Sequence, residues 1–312
     1  MASPSFSRIN GLIAAPFTPF SPDYSLNLDV VPKIAEHLVR QNVAGAFVGG
    51  STGEWASLTL EERKALAVAW RKAASRDFSL IVHVGHNTLE VCRELASHAE
   101  QLGVRGIAAL MPSYFRPPTI KAAVEFCREI AAAAPRTPFY YYHIPDMTGV
   151  NFPMEALLPE ISRRVPSFAG IKFTHSDLLD YGLTLADAAG RFEVFFGRDE
   201  VLLSGLALGA TSAVGSTYNY AANLYHRIMK AHAAGRNEEA RQHQIYVQRL
   251  VRLIIRHGSF AAGKAMMAFE GVDCGPVRPP LVQMDSKSLR LLKDELLALD
   301  FFREAGVLNV SS

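Results

Sequence analysis

At 312 residues, with 49% hydrophobic and 20% charged residues, the chain has the composition of a soluble globular protein with a large core, which excludes intrinsic disorder. Its 32 Lys and Arg against 30 Asp and Glu leave a net charge of +2, and the scattered basic residues give no nucleic-acid-binding footprint. No run of about 18 apolar residues exists, so no membrane-spanning helix is expected.

The N-terminal stretch MASPSFSRIN has no apolar core of its own, which predicts no cleaved signal peptide. Cys92, Cys127 and Cys274 are odd in number, far apart and without CxxC spacing, so neither a disulfide framework nor a thiolate metal site is expected. Together these features predict a reduced, cytoplasmic protein.

Along the chain, short apolar runs at residues 11–15, 45–49, 79–84, 106–110, 138–142, 168–173, 192–196 and 210–215 read as eight strands. Segments of helical period lie between them at 28–41, 60–75, 89–103, 120–134, 154–164, 177–189 and 200–208. Thr59 with Glu62 three positions later marks a capped helix start. This rhythm predicts an α/β fold, a (β/α)8 TIM barrel. Four further helices are expected at 221–234, 237–256, 259–270 and 286–302, with a Gly- and Pro-rich loop at 273–280. The first serves as the eighth barrel helix. The chain thus divides into a barrel with the active site over 1–235 and a C-terminal three-helix appendage over 236–312.

Barrel chemistry sits at the C-terminal ends of the strands. Those ends carry GGSTGEW (49–55), MPSYF (111–115), YYYHIPDMTG (140–149), GIKFT (170–174), FFGRDE (195–200) and GSTYN (215–219). Lys172 follows an apolar run at a position that alternation aims into the barrel mouth. Burial there strips hydration from the ammonium, lowers its pKa and frees the amine to attack a carbonyl. An isolated strand-end lysine reads more readily as one snorkelling to the rim or paired with a carboxylate, so its neighbours decide. Tyr142 ends the adjacent strand, and its phenol can shuttle a proton; a row of three tyrosines, 140 to 142, otherwise reads as one core and two surface aromatics. Ser51 and Thr52 offer hydroxyls and backbone N–H groups suited to a small carboxylate, although the same residues make a simple turn. Asp199 and Glu200 open a helix, where acidic residues also serve the dipole; with Gly197 and Ser216 they form a wall suited to sugar hydroxyls. His83 and His86 are three apart with no third ligand implied, so no metal is expected. His175 reads as a loop hydrogen-bonder and Arg278 as a tie between appendage and barrel.

The combination GGSTGE, MPSYFRP, YYHIPxxTG, GIKFTxxDLLD, GRDE and GSTYN, with GPVRPPL at 275–281, resembles the dihydrodipicolinate synthase and N-acetylneuraminate lyase superfamily, and within it the neuraminate lyases. The resemblance spans essentially the whole chain. It implies that Lys172 is the Schiff-base lysine, Tyr142 the catalytic tyrosine, and Ser51 and Thr52 the pair that holds the pyruvate carboxylate. It implies that Tyr114 is lent to a neighbouring subunit's site within a homotetramer, a dimer of dimers. Thr174, Gly197, Asp199, Glu200 and Ser216 match positions that hold the hydroxyl-bearing tail of the sugar. No cofactor is implied, and the partner is a small 2-keto sugar acid or pyruvate. Synthases carry an arginine where this chain has Met147; a methionine has no bidentate fork, which disfavours synthase activity. Trp55, His143 and Arg198 depart from the pattern and bear on which sugar is used. The expected activity is reversible cleavage of N-acetylneuraminate to pyruvate and N-acetylmannosamine. The alternatives are a lyase or dehydratase of another 2-keto-3-deoxy sugar acid, or a non-catalytic relative that binds such an acid.

Overall fold

The structure, a computed structural model, describes residues 8–306; residues 1–7 of the N-terminal stretch read above and residues 307–312 of the C-terminal segment lie outside it. Eight parallel strands close into a barrel in sequence order: β1 (Gly11–Ala14), β2 (Gly45–Val48), β3 (Ser79–His83), β4 (Gly106–Ala109), β5 (Phe139–His143), β6 (Phe168–Phe173), β7 (Glu193–Phe196) and β8 (Ser212–Gly215). β8 pairs back to β1, so the sheet has no free edge. The helices α1 (Val31–Arg40), α2 (Leu60–Ala73), α3 (Leu89–Gln101), α4 (Ile120–Ala132), α5 (Pro145–Thr148), α6 (Met154–Arg164), α7 (Leu178–Ala188) and α8 (Leu202–Ala207) lie between the strands. Then come α9 (Tyr218–Ala233), α10 (Asn237–Arg256), α11 (Phe260–Phe269), α12 (Ser286–Ala298) and α13 (Phe301–Ala305).

Local chemistry sets the helix starts. At α2 the Thr59 hydroxyl accepts from Glu62 N at 3.2 Å while Glu62 Oε2 accepts from Thr59 N at 2.9 Å, the reciprocal box expected from sequence. Asp177 accepts from Leu179 N and Asp180 N, both at 3.0 Å, so it caps α7 from outside. Other boundaries differ from the sequence expectation. The segment at 286–302 breaks at Asp300, whose φ of 58° is left-handed and cannot continue a helix. The helix expected at 221 starts three residues earlier and kinks at Ala221. α5 had no periodic signal because it is a single turn, stopped by Gly149 at φ 66°.

Two apolar layers form the core. Inside the barrel, Ile13, Phe47, Ile81, Leu110, Tyr140, Tyr142, Phe195 and Val214 pack together; between barrel and helices lie Leu12, Val48, Leu80, Ile107, Tyr141, Ile171 and Phe196. All three tyrosines of β5 are therefore buried, two inward and Tyr141 outward, so the alternative of one core and two surface aromatics does not hold. A closed parallel barrel wrapped in helices buries both faces of each strand. At the N-terminal end the interior is plugged by Glu193, which accepts from Tyr140 OH at 2.5 Å, from Arg105 Nη2 at 3.3 Å and from Ile9 N at 2.6 Å. The opposite end is left for the site.

Candidate active site

Lys172 and Tyr142 are register partners on β6 and β5, and both side chains enter the barrel. Lys172 is 4% exposed, and its Nζ stands 4.0 Å from the ring centroids of both Phe47 and Tyr142. No carboxylate of the described residues lies within ion-pair distance of it. Burial pushes its pKa down to about 7, with the Asp199 charge pulling the other way. The faces of two aromatic rings give an ammonium some compensation, but much less than water does.

The Tyr142 hydroxyl is 3.4 Å from Ser51 Oγ, a long contact. Burial raises its pKa to about 12, opposed by the nearby hydroxyls of Ser51 and Thr174. Thr174 Oγ1 itself is buried beside the Tyr142 hydroxyl without a hydrogen bond of normal geometry. Gly197 is what admits that hydroxyl: a Cβ at residue 197 would stand 2.1 Å from Thr174 Oγ1 and 2.7 Å from the Phe173 carbonyl oxygen. Phe47 and His83 were not singled out from sequence as part of this cluster. His83 lies edge-on to Tyr142 with ring centroids 5.9 Å apart, and its Nδ1 is 2.8 Å from the Gly49 carbonyl oxygen. Alternation along β2 and β3 is the signal that could have placed both inward.

Beside this cluster lies a cavity of about 230 Å³ lined by Phe17, Ser51, Thr52, Asp199, Glu200, Ser216, Thr217 and Tyr220 from the barrel, and by Val251, Ile254, Ile255, Ser259 and Phe260 from α10, α11 and the turn between them. Ser51 connects the cavity to Tyr142. At about 230 Å³ the cavity is smaller than the usual range of ligand pockets, about 300–1,000 Å³, and suits a small molecule or one half of a larger one. A larger groove of about 610 Å³ between α10 and α12, lined by Arg249, Arg252 and Arg256, contains none of the predicted residues.

Asp199 is buried and accepts from Thr217 N at 2.9 Å and Thr217 Oγ1 at 2.7 Å, both through Oδ2. Half of this carboxylate is thus spent on the loop after β8. Glu200 lies half-buried, with Oε1 2.7 Å from Arg198 Nε, and Arg198 Nη1 reaches Asp146 Oδ2 at 3.2 Å. Burial and the Asp199 charge raise the Glu200 pKa to about 7, while Arg198 lowers it. From α10, Gln244 donates to the Glu200 carbonyl at 2.9 Å and accepts from Leu203 N at 2.8 Å, fixing this turn from the C-terminal helices.

Tyr114 is not brought into the cluster of its own chain; it is 79% exposed beside Phe115, which is 85% exposed. His143 points away from the cavity into the layer between sheet and helices, against Phe173 at 5.1 Å and His175 at 5.6 Å, so it does not bear directly on the ligand. Its burial drives its pKa down to about 3. Trp55 turns toward His83 and His86, with ring centroids 5.5 and 6.0 Å away, instead of lining the cavity. Met147 is 60% exposed. Among the described residues no group of three or more His, Cys, Asp and Glu side chains is arranged to hold a metal ion, and no helix is long and apolar enough to cross a membrane.

Residues 8–299 match the model of the dihydrodipicolinate synthetase family. The N-acetylneuraminate lyase of Rattus norvegicus is 38% identical over 98% of this chain and 97% of its own. The solved N-acetylneuraminate lyase of Proteus mirabilis superposes with a TM-score of 0.92 at 37% identity, covering 95% of this chain and 100% of that one. A Ruminococcus gnavus sialic acid aldolase, solved as a catalytic lysine mutant, superposes at 0.89 with 30% identity, covering 96% of this chain and 97% of its own. Barrel, strand-end motifs and full-length similarity agree: the chain belongs to the dihydrodipicolinate synthetase family, and its relatives there include N-acetylneuraminate lyases.

Proposed function

We propose that this chain is a pyruvate-dependent class I aldolase that reversibly cleaves N-acetylneuraminate to pyruvate and N-acetylmannosamine, with Lys172 as the Schiff-base lysine. One observation carries the assignment: Lys172 is a buried amine held between the rings of Phe47 and Tyr142, its pKa near 7, on the strand next to the one that carries the Tyr142 phenol. At neutral pH a substantial fraction of it is free amine, the form that attacks a carbonyl.

The amine adds to C2 of the keto acid, water leaves, and a protonated imine forms. Ser51 and Thr52 hold the carboxylate. The C4 hydroxyl then loses its proton, the C3–C4 bonding pair moves into the iminium to give an enamine, and C4 departs as an aldehyde. Tyr142 is a neutral phenol in the free protein, so it acts as a relay: its oxygen takes the C4 hydroxyl proton as its own proton passes to the substrate carboxylate held by Ser51 and Thr52, and the reverse transfer later delivers that proton to C3 of the enamine. Protonation at C3 and addition of water release pyruvate and restore Lys172. No dissociable cofactor is required.

The aldehyde half of the substrate occupies the cavity lined by Asp199, Glu200 and Ser216, while Thr174 and Gly197, outside that lining, serve the tail from the end of β6 and the loop after β7. The exposed Tyr114 completes a neighbour's site in a homotetramer. In this scheme residues 1–235 carry the reacting groups, and the appendage at 236–312 supplies one wall of the cavity. The three cysteines are buried and unpaired, which supports a reducing, cytoplasmic setting. Borohydride reduction with pyruvate tests the proposal: a stable mass gain at Lys172 is expected, and its absence marks a binding protein instead. A panel of aldehydes offered with pyruvate then reads the substrate; turnover of other aldehydes in preference to N-acetylmannosamine would move the assignment to another sugar acid.

A further inference from the structure

The loop that carries Ser51 and Thr52 is closed by a buried charge. Glu54 ends the tight turn in which its N–H donates to the Ser51 carbonyl at 3.0 Å, and it has left-handed backbone angles, φ 54° and ψ 37°, which a non-glycine residue disfavours. Something must hold it there. Its side chain is 1% exposed, and Oε1 stands 2.9 Å from Lys264 Nζ on α11, itself 3% exposed. Its other oxygen accepts from Arg278 N at 2.8 Å. Lys264 also donates to the Pro276 carbonyl at 2.5 Å and lies 4.4 Å from the Phe20 ring centroid. The Arg278 guanidinium donates to the carbonyls of Tyr24 and Ser57 and to Glu62 Oε2. On the other side Thr18 Oγ1 donates to the Gly53 carbonyl at 2.6 Å.

A buried ion pair is a poor way to add stability but a strict way to fix geometry, because a displaced partner leaves an uncompensated charge. Here both ends of the pair are rigidly seated: one on the turn that presents the two hydroxyls, the other on the C-terminal helices. The geometry points to Glu54 and Lys264 as positioning residues that set Ser51 and Thr52 for the keto-acid carboxylate, so that the C-terminal segment controls pyruvate recognition without touching pyruvate. This inference rests on the proposed roles of Ser51, Thr52 and Lys172.

The test is borohydride trapping across a range of pyruvate concentrations with the full chain, alongside thermal melting. Glu54→Gln should raise the half-saturating pyruvate concentration roughly tenfold or more, since a weakened hydrogen bond to a charged carboxylate costs about ten- to a hundredfold in affinity. The trapping rate at saturation should stay within about threefold. Glu62→Gln, which loosens Arg278 but leaves the pair intact, should lower the melting temperature with half-saturation nearly unchanged. If Glu54→Gln does not fold, the double variant Glu54→Gln/Lys264→Met removes both charges and should show the same rise. Unchanged half-saturation in a folded variant would overturn the inference, as would an equal loss in Glu62→Gln or failure of both Glu54 variants to fold, which would make the pair a determinant of the whole fold. Absence of trapping in the parent protein would instead overturn the aldolase proposal, and this inference with it.

Discussion

The Lys172 ammonium lies 4.0 Å from the centroid of the Tyr142 ring, while the hydroxyl of that tyrosine turns toward Ser51. The residue proposed to form the imine therefore meets the apolar face of the residue proposed to move the proton, not its oxygen. This separates two functions within one side chain. The ring helps dehydrate the amine, and the hydroxyl sits where the substrate carboxylate and C4 hydroxyl are expected.

Lys172→Met should abolish turnover and trapping while the protein folds. Its effect on stability should depend on pH. Because the folded pKa is lowered to about 7 from 10.5, the unfolded chain binds more protons between those values, so this residue penalises the fold fully below about pH 7 and progressively less as pH rises toward 10.5. The gain in melting temperature of Lys172→Met over the parent should be largest near pH 6 and shrink by pH 9. Activity above roughly a thousandth of the parent's would sink the Schiff-base assignment, since losing an obligatory nucleophile should cost several kcal/mol of barrier.

Tyr142→Phe keeps the ring over Lys172 and removes only the hydroxyl. Imine trapping with pyruvate should survive, whereas cleavage should slow by about 10² to 10⁴, the worth of a positioned proton relay. Trapping and single-turnover cleavage measured on one preparation separate the two steps. Cleavage at the parental rate would remove Tyr142 from the chemistry.

The eight strands were legible because each is a short apolar run between helical segments, and the motifs at their ends gave Lys172, Tyr142 and the polar residues that line the cavity beside them, but not Phe47 or His83. What stayed hidden depended on direction and distance. His143 departs from the family pattern in a way that left the exact sugar open, and one step of alternation past Tyr142 sends it to the outer layer. The C-terminal wall from Val251 to Phe260 was invisible because helical periodicity shows that a face is apolar, not which cavity it meets. Likewise, Glu54 stood in the open as part of GSTGEW, but its partner lies 210 residues away.

Gly197→Ala tests the close approach of β6 and the loop after β7. The added methyl would overlap both the Thr174 hydroxyl and the Phe173 carbonyl, and a backbone oxygen cannot rotate aside. Overpacking of this kind costs about 1–3 kcal/mol, so the melting temperature should fall by a few degrees. Displacement of Thr174 should weaken use of N-acetylneuraminate more than pyruvate trapping. Equal effects on both would mean that the glycine serves the barrel alone.

The sharpest test of specificity lies in the Arg198–Glu200 pair. If Glu200 binds the hydroxylated tail, Glu200→Gln should lower kcat/KM for N-acetylneuraminate on the order of ten- to a hundredfold, the worth of a charge-assisted hydrogen bond of about 1.5–3 kcal/mol. Trapping with pyruvate, and condensation of pyruvate with a short aldehyde such as glyceraldehyde, should barely change. The raised Glu200 pKa adds a second signature: burial and the Asp199 charge delay its ionisation toward neutral pH, so use of the long substrate should climb with pH more steeply than use of the short one. Taking the ratio of the two substrates cancels the titration of Lys172, which both share. Arg198→Ala removes the cation that lowers this pKa and frees Asp146, so the midpoint of the ratio should move upward. Measure both substrates from pH 5.5 to 9 on the parent and both variants. A ratio flat in pH in the parent, or a midpoint unmoved by Arg198→Ala, would show that Glu200 does not act on the tail as a carboxylate.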